Sequence, residues 1–178
     1  MSGGADFERN DDISGWPVER LRSLTADAAD WRLEVVRVIA QAHAYRAGQP
    51  LDERRQWAEL SLLANQRMRV DGPAEQARVK AQEFALRTWV IDRLGRDDEN
   101  PYWHPESLAS DTLDALTLTP SQATALAGHW RDLPIEQIRA LRRHKNLTAH
   151  LETLLAHLRS GPVQDQLLIW TRTRRLLP

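Results

Sequence analysis

The chain has 178 residues, with 24 Lys/Arg against 25 Asp/Glu and a net charge of −1, so it lacks the strong positive balance of a dedicated nucleic-acid-binding domain. It contains no cysteine, which excludes disulfides, thiolate metal sites, iron–sulfur clusters and thiol catalysis. Hydrophobic residues make up 42%, and the seven tryptophans run from Trp16 to Trp170, enough large apolar side chains to fold most of the length.

Residues 1–14 are rich in Gly, Asp, Asn and Ser and read as a disordered tail. The start carries no basic, apolar signal region, and no apolar run approaches the roughly 20 residues of a membrane span. The expected compartment is the cytoplasm, with no membrane partner, and Asn146-Leu147-Thr148 is then a chance match to a glycosylation sequon. Pro17 suits the first turn of a short helix ending near Leu24. From Ala28 to Ala47 the residues Trp31, Val35, Val38, Ile39, Ala42 and Tyr45 fall on one helical face, which predicts a core-facing stripe. Gly48 stops that helix and Pro50 opens the next, whose apolar face is Trp57, Leu60, Leu63, Ala64 and Met68.

Asp71-Gly72-Pro73 is a turn into a helix over 74–94 with two apolar faces, the pattern of a helix buried on both sides. Residues 96–105 (RDDENPYWHP) are polar and proline-bearing, and predict a linker between an N-terminal lobe, 15–95, and a C-terminal lobe, 106–178. Beyond it, 106–116 and 120–130 are helical, the latter capped by Thr119. In 134–159 the stripe of Ile135, Ile138 and Leu141 points almost opposite to that of Leu147, Leu151, Leu154 and Leu158. This predicts a break at 142–146 with Asn146 as the cap of a second helix. After Ser160-Gly161-Pro162, residues 163–177 are a helix, with Leu167–Thr171 alternatively a strand. The whole is an all-α bundle of about seven or eight helices, in one core or two small lobes.

The usual catalytic signatures are missing. The eight glycines form no phosphate loop, and neither H-E-x-x-H nor G-x-S-x-G occurs. His150 and His157 lie seven apart, not at the i, i+4 spacing of helical metal ligands. Carboxylate pairs such as Asp52-Glu53 sit at helix starts, where the dipole favours acids. No enzyme, cofactor or metal site is therefore expected.

Charge is unevenly placed. Residues 1–100 hold 15 Lys/Arg against 18 Asp/Glu, whereas residues 101–178 hold 9 against 7 and five of the six histidines. Only Lys80 and Lys145 are lysine; the other cations are arginine, the better fork for phosphate. The densest cluster is Arg139, Arg142, Arg143 and Lys145, with His144 among them, and Arg139, Arg142 and Arg143 share a helical face. A second is Arg172, Arg174 and Arg175, and a weaker third is Arg54, Arg55, Arg67 and Arg69. Clustered arginines attract phosphates by charge and by paired hydrogen bonds. At a helix end they equally well complement the dipole.

Leu118-Thr119-Pro120-Ser121-Gln122, then Trp130, then Leu133-Pro134-Ile135-Glu136-Gln137-Ile138 resemble the opening of helix-turn-helix domains of sigma-factor-like and response-regulator proteins. The resemblance covers about 40 residues and implies a dimeric DNA-binding regulator or mobile-element protein. The positions that family usually gives to a small residue and a turn glycine hold Arg139 and Arg142–Lys145 here. The expectation favoured by the arginines is a non-enzymatic helical subunit of a nucleoprotein complex that contacts RNA or DNA backbone without reading bases. In size and character it is similar to the small helical subunits of CRISPR effector complexes. A protein–protein adaptor, with its arginines paired to acids and bound to other subunits or to itself, is the remaining alternative.

Overall fold

The computed structural model describes residues 13–178; apart from Ile13 and Ser14, the tail expected over 1–14 lies outside them. Among the described residues the protein is all-helical, without strands. Its α-helices are α1 Val18–Leu24, α2 Asp30–Tyr45, α3 Leu51–Arg67, α4 Gly72–Leu94, α5 Pro105–Asp114, α6 Pro120–Gly128, α7 Ile135–Leu147, α8 Leu151–Leu155 and α9 Pro162–Arg174. They form two compact units, one ending at Met68 and the other covering Arg69–Pro178.

In the first unit α2 and α3 pack as a hairpin, with α1 against α3. Gly48 turns the chain between them at a positive φ of 90°, a conformation side chains resist. The Ser61 hydroxyl donates to the Arg37 carbonyl, and the rings of His43 and Trp57 stack 4.2 Å apart. The face α2 buries is Leu33, Val36, Arg37, Ala40 and Ala44, not the expected one. Trp31, Val35, Val38, Ala42 and Tyr45 are exposed on the opposite side of the helix. Both stripes follow the helical period, and the buried one belongs to the helix that packs against α3.

The division between units falls ahead of α4 rather than in residues 96–105, because α4 sends Phe84 and Ile91 into the core of the second unit. Residues 96–105 are no free spacer. Pro101–Trp103 form a 3-10 turn, Trp103 is buried, and the Asp97 amide donates to the Trp103 carbonyl. Arg87 on α4 holds the segment: its Nε donates to the Tyr102 carbonyl at 3.0 Å and its Nη2 to that of Pro101 at 3.2 Å. Its Nη1 also meets Asp111 at 2.6 Å and buried Glu83 at 3.3 Å.

Against α4 lies α7, and α9 packs on α5, α6 and α8. Leu108, Leu141, Leu154 and Leu167 join Phe84 and Ile91 in the core. Thr119 caps α6 as expected: its hydroxyl accepts from the Gln122 amide, and the Gln122 side chain accepts from the Thr119 amide. The predicted break at 142–146 is not there. Helix α7 continues to Leu147 because Leu141, His144 and Leu147 keep one buried stripe, and Asn146 is an exposed helical residue rather than a cap. The reversal of phase occurs at Thr148–His150, where the Thr148 hydroxyl donates to the His144 carbonyl. The segment expected as a helix over 163–177, with Leu167–Thr171 alternatively a strand, is helix α9 over Pro162–Arg174.

Candidate nucleic-acid interface

No acidic residue lies between Glu136 and Glu152, or after Asp165. The basic residues in these two stretches therefore have few neutralising groups nearby in sequence. Burial of Leu141, His144 and Leu147 fixes the register of α7. That register exposes Arg139 and Arg142 and leaves Arg143 and Lys145 half-buried. Arg139 is occupied by Glu136, at 2.7 Å one turn earlier. The side chains of Arg142 and Arg143 have neither ion pair nor hydrogen bond among the described residues.

On α9, Leu167, Trp170 and Thr173 face inward, so Arg172 and Arg175 point out. Arg172 has no ion-pair or hydrogen-bond partner among the described residues, and Arg175 meets exposed Glu152 at 3.2 Å. Arg174 is half-buried and reaches α7: its Nε donates to the Lys145 carbonyl at 3.3 Å. Lys145 returns the contact, its Nζ donating to the Leu177 carbonyl at 2.8 Å. The two basic clusters of the sequence thus meet at the C-terminal ends of α7 and α9. Both ends carry the negative pole of a helix dipole, which partly offsets the mutual repulsion of the cations.

His144 does not belong to this surface, although the sequence places it among the arginines. It is buried and stacks near Trp170, ring centroids 5.7 Å apart. Its Nδ1 lies 2.8 Å from the Ala140 carbonyl and so donates, while its Nε2 accepts from the Thr117 and Leu118 amides at 3.1 and 3.0 Å. This arrangement requires the neutral ring and ties the α5–α6 connection to α7. Burial holds the His144 pKa below the ordinary value; the Ala140 carbonyl raises it and nearby Arg143 lowers it further.

His150 is buried beneath Phe84, and burial, aided by the charge of Arg87, lowers its pKa to about 4. Its Nε2 lies 3.1 Å from the Thr112 hydroxyl, which itself donates to the Leu108 carbonyl. His157 turns instead to Asp92 on α4, at 3.1 Å, so the two histidines are engaged on different elements. Among the described residues no group of three His, Asp or Glu is placed to hold a metal ion.

Of the weaker third cluster, Arg54 donates to the Ala44 carbonyl at 2.8 Å and Arg67 to the Thr25 hydroxyl at 2.9 Å, both within the first unit. Of the three helices matched to the helix-turn-helix pattern, α6 and α7 are present as helices. The third, α8, has only five residues and buries Leu151 and Leu154. Two structural hubs escaped the sequence reading, Arg87 and His144. The one available signal was position: Arg87 lies three residues from both Phe84 and Val90, and His144 three residues from both Leu141 and Leu147. No helix among the described residues is long and apolar enough to cross a membrane. The chain matches no family model, and no curated protein or solved structure is significantly similar to it.

Proposed function

We propose that this protein is a non-enzymatic binding subunit that holds nucleic-acid backbone on the basic surface formed by the C-terminal ends of α7 and α9. The observation that carries this reading is the Lys145–Arg174 junction. It gathers two arginine runs while Arg142, Arg143 and Arg172 lack acidic partners among the described residues. A polyanion relieves the repulsion among these cations and releases its own counterions on binding. Backbone contact is favoured over base reading because α8 is too short and too buried to serve as a groove-reading helix. The adaptor alternative requires acids to occupy the arginines, and only Arg139 and Arg175 of this group are so occupied.

The test is fluorescence anisotropy with random-sequence single-stranded RNA and DNA, comparing the wild type with the R142E/R143E/R172E variant. The surface predicts a loss of at least tenfold in affinity for every sequence. Equal binding by the two proteins rejects this site.

A further inference from the structure

We propose that α2 is a self-association helix, pairing antiparallel with α2 of a second copy of this chain through the stripe Trp31, Val35, Val38, Ala42 and Tyr45. A surface helix needs one apolar face, yet α2 has two. Leu33, Val36, Ala40 and Ala44 are already buried. On the opposite side Trp31 is 55%, Val35 38%, Val38 50% and Tyr45 40% exposed. Successive members of this exposed stripe are four, three, four and three residues apart, the spacing of a heptad seam. Such a seam stays in register only against another helix, which distinguishes it from scattered surface hydrophobics.

The stripe extends about 21 Å along the helix at the usual rise per residue. It offers roughly 400 Å² of apolar surface per copy, so a pair removes about 800 Å² from water, the scale of a weak and reversible dimer.

The stripe is complementary to itself. Small Val38 and Ala42 near its centre let two backbones approach, and aromatic rings close both ends. Antiparallel pairing about Val38 sets the Trp31 end of one copy against the Tyr45 end of the other. Charge selects this direction over the parallel one. The N-terminal end of α2, with Asp27 just before it, carries Asp30 and Glu34 against Arg32, and Arg46 follows its C-terminal end. Antiparallel helices bring these unlike ends together and oppose their dipoles. The inference rests on the first unit alone and stands independently of the nucleic-acid surface.

Sedimentation velocity of the full chain from about 1 to 200 μM tests it. The expected result is a concentration-dependent shift to twice the monomer mass. V38E and A42E should each stay monomeric throughout with unchanged far-UV circular dichroism, both positions being exposed. Because the chain has no cysteine, W31C mixed with Y45C should give a disulfide-linked heterodimer in preference to either homodimer. A wild type that remains monomeric at every concentration overturns the proposal, as does a dimer indifferent to both substitutions. Preferential W31C–W31C crosslinks overturn the antiparallel arrangement.

Discussion

Lys145 and Arg174 clasp one another through the backbone: the Arg174 guanidinium donates to the Lys145 carbonyl, and the Lys145 ammonium donates to the Leu177 carbonyl three residues beyond Arg174. The first bond satisfies a carbonyl in the last turn of α7, and the second ties the chain just beyond α9 to α7. Together they hold like charges where the sequence supplies almost no acid. The proposed function rests on that arrangement.

On the proposed function, the acids that do reach this surface are internal competitors. Glu136 occupies Arg139 and Glu152 occupies Arg175, in exposed pairs of little intrinsic strength. E136Q and E152Q should therefore each raise affinity for nucleic acid by about two- to fivefold, the equivalent of roughly 0.4–1 kcal/mol. Anisotropy titration at fixed salt checks this. Unchanged or weakened binding in both variants indicates that Arg139 and Arg175 lie outside the contact.

Arg87 should prove the most sensitive charged residue of the second unit. R87M strips the buried Glu83 of one of its two cations, leaving exposed Lys80, and frees the Pro101 and Tyr102 carbonyls. The expected cost is about 3–5 kcal/mol in urea denaturation, with exposure of Trp103 seen as a red-shifted emission. E83M/R87M should recover part of that loss, because it removes the orphaned charge as well.

Acid should weaken the fold through its buried histidines. His144 and His150 both have pKa values below their ordinary 6.5, His150 at about 4. Between those values the unfolded chain binds more protons than the native one. Stability from these groups is therefore complete above pH 6.5 and is lost below it, for His150 as pH falls toward 4. For His150 the loss is roughly 3 kcal/mol. Denaturation at pH 7.5, 5.5 and 4.5, compared with H150Q, measures it; the variant should show the shallower decline. A wild type equally stable at all three values contradicts the neutral, buried rings.

What the sequence revealed was set by local chemistry, and what it hid by tertiary choice. Thr119 with Gln122, Gly48 and the Pro-opened helices were legible because caps and turns act within a few residues. The face of α2 was not legible: both stripes follow the helical period, and the buried one includes Arg37, which pairs with Glu34 at the rim. Polar composition disguised 96–105 as a linker because the bonds that hold it to α4 come from Arg87, 14 and 15 residues from the carbonyls they reach. Each arginine run was visible in the sequence. Their meeting at Lys145 and Arg174 was not, since it depends on how α7 and α9 pack, and the same packing turned His144 inward.

The most direct measurement for the proposed surface is the salt dependence of nucleic-acid binding, taken as the slope of log affinity against log salt for the wild type and the R142E/R143E/R172E variant. A backbone contact through these arginines predicts a steep slope, little different between sequences, that becomes shallower by about two to three in the variant. A slope near zero, or one the three reversals leave unchanged, contradicts it.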